Sequence, residues 1–249
     1  MAPTTDPRPL PTGPAKTARV RQMFDTIAPR YDLVNRIMSL GLDQVWRART
    51  VDALALAPGS VVVDLACGTG DLGVIARRRG YVTLGADSSA GMLAARRGEQ
   101  PVVRCDAAEL PFADGAVDGV LCGYALRNFT DLPVVFAEVA RVLRPGGRLA
   151  ALEVARPRSR VLAGGHRVWF EGVVPLLGAA LSDADAYRYL PRSTAYLPDE
   201  PALRAILAAS GFSTVGRRLL HGGLSQVLVA TRRGLPAAAP PTAGTARVE

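Results

Sequence analysis

The stretch Val61-Val62-Val63-Asp64-Leu65-Ala66-Cys67-Gly68-Thr69-Gly70-Asp71-Leu72-Gly73 decides the fold. Its first five residues form a short, β-branched, apolar run, the composition of a strand covered on both faces. The run leads straight into a glycine-rich turn, behind which helical spacing begins. Gly68 and Gly70 let the main chain pass close to a ligand, and the helix start offers unpaired N–H groups to a carboxylate or phosphate. Gly68, Gly70 and Gly73 also satisfy the G-x-G-x-x-G spacing. On this turn alone a nicotinamide cofactor therefore competes, as does an ordinary strand-to-helix turn without a ligand.

Downstream, the runs 81–86, 101–105, 117–123 and 148–154 have the same strand character, with helical patterns at 72–79, 89–98 and 133–143 between them. Such alternation predicts right-handed βαβ units and a parallel sheet. Residues 157–198 interrupt it as an insertion of arginine-rich, then apolar, then tyrosine-rich sequence. A helix near 199–210 and strands near 213–220 and 225–231 follow, the strands joined at His221-Gly222-Gly223 as an antiparallel hairpin. Upstream, residues 20–56 repeat apolar positions at helical spacing and predict two or three helices. The expected architecture is a Rossmann-like, doubly wound α/β domain over 17–234. It has a seven-stranded, mostly parallel sheet, N-terminal helices and a helical insertion after strand five. Residues 1–16 and 235–249 are Pro/Ala/Thr-rich without periodicity and are expected to be disordered tails.

At 249 residues and 49% hydrophobic content the chain can fill one core. Its longest apolar stretch, Val173 to Leu181, is broken by Pro175 and Gly178 and falls short of the ~20 residues that span a bilayer. With no secretory pattern at the start, a cytoplasmic protein is expected. The net charge is +8, yet Lys16 is the only lysine among 30 cationic residues, and the arginines are scattered without interleaved aromatics. Nucleic acid is therefore not an expected partner. Cys67, Cys105 and Cys122 are odd in number and widely spaced, so neither a disulfide framework nor a bound metal is expected.

Two acids follow strands at telling places. Asp87 ends the second strand, where a carboxylate accepts the hydroxyls of a ribose; capping the helix that begins at Ser89 is its alternative role. Asp106 follows the third strand, where an acid accepts from an adenine amino group. The segment Asp64-Leu-Ala-Cys-Gly-Thr-Gly70, these two acids, and Leu110-Pro111-Phe112 ahead of Asp114-Gly115 and Val117-Asp118 resemble class I methyltransferases. That resemblance implies S-adenosylmethionine as cofactor, held by Asp64, Gly68, Thr69, Gly70, Asp87, Ser88, Asp106, Ala107 and Gly123.

Four further segments are similar to the ubiquinone/menaquinone biosynthesis C-methyltransferase family: 23–46 (MFDTIAPRYDLVNRIMSLGLDQVW), 124–131 (YALRNFTD), 141–155 (RVLRPGGRLAALEVA) and 182–190 (SDADAYRYL). The resemblance covers about residues 20–230. It implies C-methylation of a quinol ring carbon, most simply demethylmenaquinol to menaquinol. The rivals are another aromatic or specialised-metabolite acceptor and, outside enzymes, an inactive cofactor-binding module. The chain departs from the family at Asp43, where a His is usual, at Val34, where a Met is usual, and in its closing segment.

A ring carbon becomes nucleophilic once the neighbouring hydroxyl loses its proton, so a cation beside the oxygen helps. Arg127, just past strand four, is the candidate to stabilise the phenolate and Asn128 to orient it. Tyr31 and Asp43 are candidates to take the proton or to close over the cofactor, with a helix cap as the alternative for Asp43. A prenylated quinol lies in the membrane, so peripheral contact is expected from Arg156, Arg158, Arg160 and Arg167 around Trp169 and Phe170, an ordinary solvated basic loop being the alternative. Residues 157–198 are expected to form the acceptor pocket and lid with the N-terminal helices. Self-association as a homodimer completes the partners considered for such a chain.

Overall fold

The computed structural model describes residues 10–155 and 192–234, with 159, 164, 165, 169, 172 and 189 between them. Three helices open the chain: α1 (Gly13–Ile27), α2 (Tyr31–Met38) and α3 (Leu42–Ala53). Then β1 (Val61–Leu65), α4 (Asp71–Arg78), β2 (Val82–Asp87), α5 (Ala90–Ala94), β3 (Val102–Arg104), β4 (Val117–Gly123), α6 (Leu132–Val142) and β5 (Leu143–Val154) alternate. The chain closes with α7 (Glu200–Ala209), β6 (Phe212–Leu220) and β7 (Ser225–Arg232).

The described strands form one seven-stranded sheet in the order β3-β2-β1-β4-β5-β7-β6. β1 to β5 pair in parallel, and β7 runs antiparallel to both β5 and β6. Side chains alternate between two apolar layers, as a doubly covered sheet requires. Val62, Leu121 and Ala150 pack with Val51 of α3, Leu54 just after it, and Leu72 and Ile75 of α4. Val63, Val120, Cys122, Leu149 and Ala151 pack with Val135, Phe136, Leu203 and Leu207 of α6 and α7. The order reverses between β1 and β4, and a crevice opens there beyond the strands' C-terminal ends.

Three expectations change. Residues 13–16, expected to lie in a disordered tail, are helical, because α1 starts at Gly13 with Pro14 in its first turn. Lys16, 4% exposed, donates to the Phe129 carbonyl at 2.7 Å and stands 3.8 Å over the Tyr196 ring, so long-range contacts order a sequence that lacks periodicity. The helix expected over 89–98 stops at Ala94; the chain leaves it so that the Arg97 N–H can donate to Thr69 O at 3.0 Å. β5 begins at Leu143 rather than 148, since the register shifts opposite Val117–Gly119 of β4, where β5 carries the extra Arg-Pro-Gly-Gly residues 144–147. Residues 1–9 and 235–249, the apolar run 173–181 and Arg156, Arg158, Arg160, Arg167 and Phe170, on which expectations were placed, lie outside the described residues. No helix among the described residues is long and apolar enough to cross a membrane.

Candidate active site

A cleft of about 220 Å³ lies at the C-terminal ends of β1 to β4, roofed by α1. Its floor grows from the glycine turn. Gly68 (φ 54°) and Gly70 (φ 90°) take left-handed backbone, and the intervening Thr69 is buried. Two non-glycine residues share that strained region: Ala66 (φ 51°) after β1 and Tyr124 (φ 58°) after β4. Both line the cleft. Backbone strain of this kind, repeated at the ends of the two central strands, is characteristic of ligand sites.

Asp87 closes the floor at the end of β2. The Gly68 N–H donates to its Oδ2 and the Ser89 N–H to its Oδ1, each at 2.8 Å. Burial raises its pKa, these amide hydrogen bonds opposing the rise. A carboxylate has about four acceptor positions, so two remain for a ligand. The alternative reading of Asp87 as the cap of α5 does not hold: Ser89 is the N-cap, its Oγ accepting from the Met92 N–H at 3.1 Å. Ser88, Ala107, Gly123 and the exposed Asp106 also line the cleft. Asp106 Oδ1 accepts from the Ala108 N–H at 3.0 Å in a local turn.

Other residues expected to touch the cofactor stand behind this wall. Asp64, 1% exposed, accepts from the Gly73 N–H at 2.8 Å through Oδ2, and its Oδ1 has no hydrogen-bond partner among the described residues. Burial, the first cause, lifts its pKa to about 7, with the charges of Asp87 and Asp71 adding to the rise. Thr69 turns its hydroxyl away to Asp32 Oδ1 (2.6 Å), whose Oδ2 pairs with Arg97 at 2.9 Å. Gly70 forms the turn but is not among the lining residues. Burial likewise raises the pKa of all three cysteines, Cys105 to about 11, which keeps the thiols protonated and unreactive.

The four candidate catalytic residues separate into two groups. Tyr31 and Asn128 line the cleft. Tyr31 packs edge-on against Phe24 with ring centroids 5.9 Å apart, and its phenol pKa is raised by burial. Asn128 Oδ1 meets the Tyr189 hydroxyl at 3.4 Å, which brings one described residue of the insertion to the cleft. Arg127 and Asp43 are not lining residues. The Arg127 guanidinium, 5% exposed as a residue, is ion-paired to Glu153 and donates to Ser193 Oγ (3.0 Å) and the Tyr124 carbonyl (2.9 Å). Its charge is answered by a fully buried carboxylate rather than directed into the cleft. Asp43 accepts from Ser39 Oγ and Gln44 Nε2, both at 2.9 Å, and lies 3.6 Å from Arg47 Nε. It is no N-cap either, since Gly41 precedes α3 and makes no side-chain cap.

Sequence reasoning passed over Glu153, Arg47 and Asp25. Glu153 had a readable signal, a lone acid inside the apolar run RLAALEV, which demands a buried partner. Asp25 Oδ1 accepts from Ser89 Oγ (2.6 Å) and the Gly91 N–H (2.8 Å), fastening α1 to the edge of the floor. Nothing in an exposed helical aspartate announces that role. The histidine His221 is structural: its Nδ1 accepts from Trp46 Nε1 at 2.7 Å. Among the described residues no cluster of His, Cys, Asp or Glu is placed to hold a metal ion.

Known proteins place this cleft in context. Among solved structures, a possible histamine N-methyltransferase of Thermotoga maritima superposes with a TM-score of 0.60 at 19% identity, over 86% of this chain and 99% of that one. A putative S-adenosylmethionine-dependent methyltransferase of Methanococcus maripaludis gives a TM-score of 0.59 at 13% identity, over 84% and 94%. These likenesses establish the fold, a mostly parallel Rossmann-like sheet with antiparallel C-terminal strands. In sequence, the demethylmenaquinone methyltransferase of Thermus thermophilus is 44% identical over 221 residues, 84% of this chain and all of that protein. The demethylmenaquinone methyltransferase of Roseiflexus sp. is 41% identical over 234 residues, 90% of this chain and 98% of its own length. The pattern of the ubiE/COQ5 methyltransferase family runs through residues 13–232, from the first turn of α1 to the last residue of β7. With roof, floor and closing hairpin all inside that match, the chain belongs to the ubiE/COQ5 methyltransferase family.

Proposed function

We propose that this chain methylates a ring carbon of demethylmenaquinol, giving menaquinol, with S-adenosylmethionine as methyl donor. The observation that carries the reading is the convergence of the glycine turn, Asp87, Tyr31 and Asn128 on one cleft. The names of relatives similar over nearly their whole length supply the acceptor.

The residues fit the donor in three ways. Asp87 lines the cleft and is an acceptor for ribose hydroxyls beside the amides it already holds. Asp64, buried behind the glycine turn with Oδ1 unpartnered among the described residues, puts a carboxylate's charge behind the wall, where it favours the donor's ammonium group without touching it. Asp106 and Ala107 edge the cleft beside β3, where an adenine would be read. Ser88 and Gly123 border it, while Gly68, Thr69 and Gly70 shape the turn. When bound, the donor supplies an electrophilic methyl group on a positively charged sulfur.

The chain itself orients, encloses and manages charge. Asn128, pinned between the Tyr124 carbonyl (3.4 Å) and the Tyr189 hydroxyl, presents an amide to the acceptor. Tyr31 offers a phenol whose proton is retained at neutral pH, suited to hold the acceptor oxygen by a hydrogen bond after that hydroxyl has lost its proton to solvent; the ring carbon's hydrogen also leaves to solvent as a proton when the aromatic ring is restored. Arg127 braces this corner through Glu153 and the Tyr124 carbonyl and acts on the acceptor through Asn128, its sequence neighbour. The roof formed by α1 excludes water, which strengthens each of these interactions. Asp43 lies outside the cleft lining, so its departure from the family's His removes nothing from the wall around the acceptor, which favours the family's own substrate over another aromatic.

A prenylated acceptor would be drawn from a bilayer surface by the insertion. The test is an assay of methyl transfer from labelled S-adenosylmethionine to demethylmenaquinol, offered free or in anionic vesicles, against unprenylated hydroquinones, with calorimetry of S-adenosylhomocysteine and NAD. Menaquinol formation and S-adenosylhomocysteine binding are expected. Methylation confined to unprenylated rings would move the acceptor class, and NAD binding alone would overturn the reaction.

A further inference from the structure

The roof helix α1 meets the cleft along one stripe. Thr17, Val20, Arg21 and Phe24 line it, at the i, i+3, i+4, i+7 spacing of a single helix face. That face is pinned one turn to either side of Arg21. On one side the Thr17 and Thr130 hydroxyls share a hydrogen bond of 2.8 Å, just past the turn that follows β4. On the other, Asp25 Oδ1 accepts from the Ser89 hydroxyl at 2.6 Å and from the Gly91 N–H at 2.8 Å. The fit is close there, since a Cβ built on Gly91 would lie 2.9 Å from the Asp25 Cα. Residues 17, 21 and 25 stand above one another at i+4 spacing, so Arg21 spans the gap between the two anchors. Ser89 and Gly91 follow directly on Asp87 and Ser88, and this face of α1 therefore overlies the strand ends assigned to the donor's ribose and adenine.

Arg21 is the one cation among the described lining residues. The residue is half-buried, yet its Nε is shut off from solvent and has no hydrogen-bond partner among the described residues. Three acids line the same cleft, Asp87, Asp106 and Asp131, and no ion pair joins Arg21 to any of them. Each is held by its own main-chain amides: Gly68 and Ser89 for Asp87, Ala108 for Asp106 and Val134 for Asp131. A buried N–H without an acceptor costs free energy, and a ligand that brings the acceptor removes that cost. The chemistry of adenine matches. Beside its amino group, which donates, stands a ring nitrogen that only accepts, whereas a guanidinium only donates. Asp106 answers the amino group from the floor, and the ring nitrogen needs a donor that Arg21 offers from the roof.

We propose that Arg21 is a binding residue for the adenosyl part of the donor: held over the cleft between the Thr130 and Ser89 anchors, its guanidinium donates to a ring nitrogen of adenine while Asp106 accepts from the amino group. The proposal rests on the donor named above and is independent of the acceptor.

Calorimetry with two ligands tests it: S-adenosylhomocysteine, and 5′-methylthioadenosine, which keeps the adenosyl part and lacks the amino acid. Arg21→Met removes every donor while keeping the length of the side chain and its helix propensity. It should weaken both ligands about tenfold or more, and by the same factor. Arg21→Lys keeps the charge without the planar fork and should recover part of the loss. Arg19→Met removes the same charge from an exposed position of α1 and should leave both affinities within about twofold. Unchanged affinity in Arg21→Met overturns the proposal. So does a loss confined to S-adenosylhomocysteine, which would put Arg21 on the amino-acid carboxylate, or an equal loss in Arg19→Met, which would make the effect one of overall charge. If Arg21→Met fails to fold, Arg21→Lys decides, since a binding role requires it to weaken the two ligands equally. If the wild type binds NAD and not S-adenosylhomocysteine, the reaction proposed above fails, and the same comparison on NAD, which also carries adenosine, decides for Arg21. If no adenosine compound binds, both fall.

Discussion

The floor and the roof of the cleft are held in different ways. On the floor, Asp87 reaches the Gly68 and Ser89 amides, and Asp64 reaches the Gly73 amide, all through main-chain groups at most 19 positions away. The roof is held by side chains meeting across the molecule: Lys16 with the Phe129 carbonyl, Thr17 with Thr130 (2.8 Å), Asp25 with Ser89 and Asp32 with Thr69. A main-chain network over a covered sheet opens only with the domain, whereas single side-chain contacts are worth about 0.5–1.5 kcal/mol each. The floor is therefore expected to hold as a template and the roof to open more readily.

Breaking the floor should have the largest effect. Asp87→Ala removes both amide anchors and the acceptors proposed for the ribose, and S-adenosylhomocysteine affinity should fall by about 1.5–3 kcal/mol, roughly 10- to 150-fold. Calorimetry that found affinity unchanged would put the ribose elsewhere.

A second test sharpens the contrast through pH. Asp64 is raised to about 7 by burial, so near neutrality it is partly protonated in the free protein. A cationic ligand group favours its carboxylate, and binding below pH 7 must then expel a proton. S-adenosylhomocysteine affinity should weaken as pH drops from 7 to 6, approaching tenfold per unit, while Asp64→Asn binds more weakly at pH 8 with little dependence on pH in that window. A wild-type affinity flat from pH 8 to 6 would detach Asp64 from the ligand's charge.

The smallest effect belongs to the roof. Burial lowers the Lys16 pKa to about 8, below its value of 10.5 in a free chain. A group depressed in this way penalises the docked state while it is charged, fully below pH 8, and the penalty is relieved between 8 and 10.5. Exchange protection of 13–27, with the intrinsic rate divided out, should rise a few-fold from pH 7.5 to 9, and Lys16→Met should abolish the rise. Equal protection at both pH values in the wild type would make α1 a fixed part of the fold.

This contrast also marks what could be read ahead of the structure. The order of strands and helices, the hairpin at His221-Gly222-Gly223 and the approach of Gly68, Asp87, Asp106 and Gly123 to one cleft follow from local pattern. A strand that enters a glycine turn can place its next few residues only at the sheet's C-terminal edge. α1's start at Gly13 and the end of α5 at Ala94 were not legible, since contacts to Phe129 and Thr69 decide them.

The sheet, the floor and the family are legible in the chain alone, because hydrophobic period, glycine spacing and strand-end acids act over a few neighbouring residues. Which charges face the site is set instead by packing between distant segments. Arg127 stands beside Asn128 in the chain yet is taken by Glu153, 26 positions on. Arg47, far from any cofactor motif, is turned toward Gly123 and Tyr124 by Asp43 and Asp71. A buried charge goes where an opposite charge meets it at close range, and that pairing is fixed by packing across the whole fold.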